Sequence, residues 1–269
     1  MQRTPVTDET LSLRECADRL GVHYMTAYKY VRHGRLAATK VGSEWRVQSD
    51  DLAVFLAGPN EGPAPWADRL EARLLAGDHP GAWGVVEAAM SSGLDPAAVY
   101  VRLLAPALRD IGMGWVQGTL TIADEHRATA AAARILGRLG PRFIRRGRSR
   151  GRVVIGTPPG ERHELAVGMA ADHFRGAGWE VVELGCDLPV AEFIRGVREA
   201  GAVTAIAVSV TVEQALRPAH DLLRSLRFAD LGPVLLGGGA VTPEVALRFD
   251  ADGWAADGPE GVTALEALL

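Results

Sequence analysis

From residue 152 onward the chain alternates short apolar runs with helical stretches, and no other feature of the sequence restricts its fold as strongly. The runs read RVVIGT, WEVVELG, TAIAVSV, PVLLGG and the shorter DGWAA, with a last helix near EGVTALEALL. Apolar strands alternating with helices predict a parallel sheet covered on both faces. Five strands suit the flavodoxin-like order 2-1-3-4-5, a Rossmann-type α/β domain over residues 151–269. In such a sheet a ligand lies beyond the carboxyl ends of the strands, at the switch point between the first and third. TPPGERHELAVG follows the first strand, Ser209 and Thr211 close the third, and Gly237, Gly238 and Gly239 follow the fourth. His163, the two hydroxyls and the glycine run are therefore expected at one edge. The glycines would leave a groove without side chains, with His163 at its mouth. GTPPGE is not the GxGxxG of dinucleotide sites, and no Walker lysine follows a glycine loop. The triple glycine alone is a weak signal.

The other end of the chain has a different character. LSLRECADRLGV and HYMTAYKYVRHG read as two short helices separated near Gly21, the second ending at Gly34. TKVGSEWRV reads as a hairpin turning at Gly42-Ser43, and SDDLAVFL as a capped helix. Helix, tight turn, helix is the helix-turn-helix plan. Residues 1–58 resemble the winged helix-turn-helix of the excisionase/MerR type. That resemblance implies that Tyr24, Thr26, Lys29 and Tyr30 face double-stranded DNA and that Lys40 and Arg46 meet phosphates. Charge agrees with it. The net formal charge is −4, yet Lys29, Arg32, Arg35, Lys40 and Arg46 stand against Glu44 alone between His23 and Arg46. The plainer alternatives are a solvated helix face or a three-helix module that binds protein.

Between these ends, GPNEGPAPW reads as a linker, and residues 66–140 as a four-helix bundle with short loops. The helices start at WADRLEARLLAG, at the Asp78 cap, at Asp95-Pro96, and at Thr121 with Asp124 three residues on as a capping-box variant. The short connection around Gly118 brings Trp115 to the same end of the bundle as Glu125 and His126. PRFIRRGRSRGR is a strongly basic linker, read as a tether or an extra phosphate contact. At 269 residues the chain has room for three small domains. No apolar run reaches the roughly 20 residues of a membrane span. The N-terminus lacks the plan of a signal peptide. Cys16 and Cys186 have no CxxC partner. These features predict a cytoplasmic, membrane-free protein without a disulfide framework.

GERHELAVG resembles the DxHxxG motif of cobalamin-binding domains, Ser209-Val210-Thr211 their second motif and Gly237-Gly238 their third. LGCDLP and LLGGGAVTPEVALRFDADGWAAD also fit that domain, and the helical segment resembles its cap. Trp115 followed after nine residues by Glu125-His126 is similar to the signature of adenosylcobalamin-dependent light-sensing repressors, the CarH/LitR group. Together the resemblance covers about three quarters of the chain.

The resemblance implies that His163 binds cobalt from below in place of the cofactor's own base, with Glu161 in the place of the motif's Asp orienting it. It implies that the displaced tail runs past Ser209, Thr211, Gly237 and Gly238, and that Trp115, Glu125 and His126 contact the adenosyl side. The cofactor would be adenosylcobalamin, the partner an operator duplex and the assembly a dimer or tetramer. The function would be non-enzymatic repression relieved by light. Two departures stand out. Ala166 occupies the motif's Gly position, and Val116 stands where the best-known repressors have a His that takes the upper cobalt position after photolysis. A regulator sensing cobalamin or another tetrapyrrole without photolysis, and a corrinoid methyl carrier, are the alternatives.

Overall fold

The computed structural model describes residues 10–32, 36–41, 44–56 and 66–269. Gly34, Arg35, the Gly42-Ser43 turn and the linker at 58–65 lie outside the described residues, as do the side chains of Lys29 and Arg32. The chain divides into two compact units. One runs up to Asp95 and adds Arg102–Ala128; the other joins Pro96–Val101 to Thr129–Leu269.

The first unit begins with β1 (Thr10–Ser12), α1 (Leu13–Leu20), α2 (Tyr24–Arg32), β2 (Thr39–Val41), β3 (Glu44–Gln48) and α3 (Ser49–Leu56). The strands form an antiparallel sheet in the order β1-β3-β2. Ser12 caps α1 reciprocally: its hydroxyl accepts from the Glu15 amide at 3.3 Å, and the Glu15 carboxylate accepts from the Ser12 amide at 2.7 Å. Leu13, Cys16, Ala27, Val31, Val47 and Leu52 meet in a small core beneath these elements.

The helical segment follows as α4 (Trp66–Leu75), α5 (His79–Ser91), α6 (Pro96–Val99), α7 (Ala105–Val116) and α8 (Ile122–Leu139). Asp78 caps α5 through the Gly81 amide at 2.9 Å. The cap expected at Thr121 is present in both directions, with Asp124 accepting from the Thr121 amide at 3.0 Å and Thr121 accepting from the Asp124 amide at 3.2 Å. From the sequence a single helix is expected from Pro96 through Trp115. The structure instead inserts a π-helical turn, Tyr100–Leu104, between α6 and α7. Pro106 accounts for it: its missing N–H and its ring disrupt the turn before it, and a widened turn absorbs the clash.

A 3-10 turn, Gly140–Phe143, leads to the sheet. The sheet region comprises β4 (Arg152–Gly156), α9 (Glu164–Gly176), β5 (Glu180–Gly185), α10 (Val190–Glu199), β6 (Ala205–Ser209), α11 (Leu216–Phe228), β7 (Val234–Gly237), α12 (Pro243–Arg248), β8 (Gly253–Ala255) and α13 (Gly258–Ala267). All pairings are parallel and the order is β5-β4-β6-β7-β8, the order expected from the sequence.

Alternation along the strands builds two cores. Val154, Ile206, Val208 and Leu236 face one side and pack against Phe193, Leu222 and Leu226 of α10 and α11. Val153, Ile155, Ala205 and Leu235 face the other, against Val167 and Phe174 of α9 and Leu265 of α13. Each buried Val, Ile, Leu or Phe among them contributes about 1.5–3 kcal/mol.

Candidate functional site

β4 ends at Gly156 and the loop that follows is held rigidly. The Thr157 hydroxyl donates to the Glu161 carbonyl at 2.7 Å, and the Asp187 amide donates to the same carbonyl at 2.8 Å. Asp187 in turn accepts from the Gly160 amide at 2.7 Å and from Arg162 Nε at 2.9 Å. Those bonds, the Gly160 amide first, hold the Asp187 carboxyl below its ordinary range. Neither Thr157 nor Asp187 stands out in the sequence as a site residue. LGCDLP was noticed, but a clamp formed between two loops far apart in sequence leaves no local signal.

This loop delivers Glu161 and His163. Glu161 is fully buried. Its Oε1 accepts from the His163 amide at 3.0 Å and lies 2.5 Å from His163 Nδ1. Its Oε2 accepts from the backbone amides of Thr211 at 2.5 Å and Val212 at 3.1 Å. Burial acts to raise the Glu161 pKa. The hydrogen bonds from His163 and Thr211 outweigh it and hold the carboxyl below its ordinary value. One carboxylate thus ties the loop after β4 to the end of β6. His163 occupies the N-cap position of α9 without capping it through its side chain. Its ring turns to Glu161, with the side chain 51% exposed. Ala166 follows in the first turn of α9.

Ser209 ends β6, buried, and pairs in register with Gly237 of β7. The Thr211 hydroxyl oxygen is buried without a hydrogen-bond partner among the described residues. A group of that kind is costly to leave unmet, and it suits a ligand able to satisfy it. The glycines behave differently from the expected bare groove. A Cβ on Gly237 would stand 2.8 Å from the Ala255 carbonyl oxygen, and one on Gly238, at φ 109°, would stand 2.4 Å from the Val210 carbonyl oxygen. They let neighbouring strand ends close together. At Gly239 a Cβ would make only an ordinary contact, 3.8 Å from the Thr211 carbonyl oxygen.

Trp115, Glu125 and His126 lie at the end of α7 and the start of α8, joined by a tight turn. Thr119 and Leu120 amides both donate to the Gly114 carbonyl, and Gly118 takes φ 74°. Trp115 is 48% exposed and Val116 78%. Glu125 and His126 side chains approach within 3.5 Å of each other. At this exposure Trp115 is at most partly packed on the bundle, and Val116 stands clear of it.

On α2, Tyr24 is exposed and Thr26 half-buried. Tyr30 packs its ring on Phe55 at 5.1 Å, against the small core, rather than standing clear of it. Lys40 is exposed, while Arg46 pairs with Glu44 at 3.0 Å. Met25, which no motif of the sequence marks, is an exposed apolar side chain on the same helix.

Chemically, the sheet edge offers one imidazole whose Nδ1 is committed to a buried carboxylate, so that Nε2 is the nitrogen suited to a metal. It offers in addition a buried hydroxyl seeking a partner.

Known protein families match the same segments of the chain. Two families, each described as a B12 binding domain, match residues 66–139 and 151–269, and a helix-turn-helix domain family matches residues 10–59. A corrinoid protein of Desulfitobacterium hafniense is 26% identical over 208 residues, covering 75% of this chain and 96% of that protein. The dimethylamine corrinoid protein of Methanosarcina barkeri is 28% identical over 193 residues, covering 69% and 88%. In fold, the chain is similar to the solved structure of the Methanosarcina barkeri monomethylamine corrinoid protein. The TM-score is 0.66 at 17% identity, over 76% of this chain and 98% of that one. The chain therefore carries both halves of a B12-binding protein behind a helix-turn-helix domain.

Proposed function

We propose that this chain, with its helix-turn-helix domain ahead of two B12 binding domains, is a B12-dependent photoreceptor and transcriptional repressor. A winged helix-turn-helix over 1–58 holds operator DNA. Adenosylcobalamin, bound through the cap at 66–140 and the α/β domain at 151–269, governs that hold. The observation that carries the reading is Glu161, one oxygen on His163 and the other on the Thr211 and Val212 amides, in a chain that also has a helix-turn-helix. The residues fit a corrinoid. A cobalt already ringed by its own nitrogens needs one protein donor, and His163 is a suitable one.

When bound, adenosylcobalamin supplies a cobalt–carbon bond that light breaks. Glu161 fixes the imidazole and raises its basicity, leaving Nε2 for the metal. Ser209 and Thr211, with Gly237 and Gly238 beside them, would hold the tail of the bound cofactor, the Thr211 hydroxyl having no hydrogen-bond partner among the described residues. Trp115, Glu125 and His126 serve the adenosyl side. The exposed ring of Trp115 at the end of α7 supports this role. Light shifts the protein only insofar as its two arrangements differ in affinity for the cofactor. The expected assembly is a dimer or tetramer on repeated half-sites, in the cytoplasm, without enzymatic activity.

The test uses the full chain loaded with adenosylcobalamin in the dark, with absorption spectrum and elution volume recorded before and after green light. Both should change. Neither changing removes the photoreceptor function. His163→Ala should give a spectrum in which the protein no longer supplies the lower ligand; an unaltered spectrum overturns that assignment.

Val116 favours a second reading. It is exposed beside Trp115 and carries no ligating atom, so a regulator that reads cobalamin or another tetrapyrrole without photolysis is consistent with it. That regulator would change its DNA affinity on loading and ignore light. A corrinoid methyl carrier would bind no DNA.

A further inference from the structure

The run PRFIRRGRSRGR, residues 141–152, holds six arginines and no acid. A tether would hang loose, and this run does not. Phe143 is buried and stacks on Tyr100 at 4.9 Å. At the other end the Ser149 hydroxyl accepts from the Gly151 and Glu180 amides, both at 3.2 Å. The Arg150 amide donates to the Gly178 carbonyl at 3.0 Å. The run is laid along the body of the α/β unit and pinned at both ends.

A cleft of about 500 Å³ lies between this run and residues 175–181. Arg145, Arg146, Arg148, Arg150 and Arg175 line it, together with Trp179. Some of these cations are already engaged. Arg150 lies over the Trp179 ring at 4.7 Å and pairs with Glu266, and Arg175 pairs with Asp172 and Glu183. The carboxylate on the wall, Glu180, is taken up by Arg152 at 2.8 Å. Arg145, Arg146 and Arg148 are exposed and pair with no acid among the described residues. Three like charges held in one fixed run repel one another, and an anion spanning them removes that cost. Guanidinium groups match phosphate oxygens in a two-pronged geometry.

The cleft is separate from the His163 site. It sits at the amino ends of β4 and β5, where Arg152 pairs with Glu180, whereas His163, Ser209 and Gly237 lie at the carboxyl ends. A five-residue strand puts about 16 Å between those ends.

We infer that the Arg145–Arg148 surface is a second DNA-binding surface, engaging the phosphate backbone without reading sequence. It rests on the DNA-binding reading above for the identity of its partner. Two weak phosphate-binding surfaces on one chain reinforce each other, because engagement of the first raises the local concentration of duplex at the second.

The experiment measures binding of the full chain to a labelled mixed-sequence duplex across a salt series from about 50 to 200 mM. It compares the wild type with the triple variant Arg145→Ser, Arg146→Ser, Arg148→Ser and with the double variant Lys40→Ala, Arg46→Ala. Cobalamin uptake and melting temperature check the fold. Each lost phosphate contact lowers the slope of log affinity against log salt by about 0.9, so the triple variant should be shallower by about 2 to 3. Should the triple variant melt early, Arg146→Ser and Arg148→Ser singly should each lose about 0.9.

A wild-type slope in these variants, with binding weakened in the double variant, overturns this inference and leaves the helix-turn-helix reading in place. A reduced slope in the arginine variants, with the double variant binding like wild type, supports this surface and removes the helix-turn-helix as the contact. No duplex binding by the wild type at the lowest salt overturns both.

Discussion

Two buried polar side chains bind distant parts of the sequence together, and each invites a substitution. Tyr100 donates its hydroxyl to Asp172 at 2.8 Å, and Asp172 accepts from Arg175 at 3.1 Å on its other oxygen. Burial first, then the hydrogen bond to Asp172 and its charge, push the Tyr100 pKa well above its ordinary 10.0. Tyr100→Phe should cost about 1–3 kcal/mol, since it strips a donor from a buried carboxylate. The pH dependence has a definite sign. A raised pKa means the contribution is whole below about pH 10 and is lost as pH climbs through the folded value. The gap between wild type and Tyr100→Phe in denaturant unfolding should therefore shrink only on the alkaline side. A gap that shrinks toward acid would contradict this. At Glu161, a Gln in its place keeps the shape but turns one acceptor into a donor facing amides. Glu161→Gln should weaken cobalamin binding about 10- to 100-fold, as loss of an orienting partner does, measured by titration of the absorption spectrum.

At the scale of elements, the end of β7 and the start of α8 give sharp contrasts. Gly238→Ala should destabilise by about 1–3 kcal/mol or more through its φ and its approach to the Val210 carbonyl, while Gly239→Ala should leave the melting temperature nearly unchanged. Equal effects at both positions would contradict the packing reason given for Gly238. Thr121→Ala removes the α8 cap and should cost about 1 kcal/mol by thermal unfolding. The elements that the sequence revealed are those whose signal is local. Val153 to Ile155 alternate faces within one strand, and Thr121 caps within one turn. The sheet order followed from five such strands. What stayed hidden depends on residues far apart in sequence. Pro106 signals a disturbed helix but not that a π turn will absorb it. The Gly237–Gly238 pair looks like a groove until Ala255 and Val210 are placed beside it. Glu161 and His163 were identifiable as a pair, but the grip of Glu161 on the Thr211 and Val212 amides was not, because backbone donors have no letter in the sequence.

For the whole molecule, cofactor and fold are linked by mass action. If the chain binds cobalamin in its native state alone, saturation to a hundred times the dissociation constant should add about 2.7 kcal/mol of stability, visible as a rise in melting temperature. Under the proposed function, illumination of the loaded protein should change that rise, and a melting curve indifferent to both cobalamin and light would speak against cofactor binding itself. The division of the chain carries a further consequence. Pro96–Val101 belongs with Thr129–Leu269, although Arg102–Ala128 after it belongs with the residues before it. A ribosome delivers these segments in order, at about 5–20 residues per second. When Ala128 emerges, every part of the first unit has been made, but Tyr100 still waits for an Asp172 not yet translated. For roughly two to nine seconds, until Asp172 is made, the nascent chain holds a short segment whose buried hydrogen-bond partner does not yet exist.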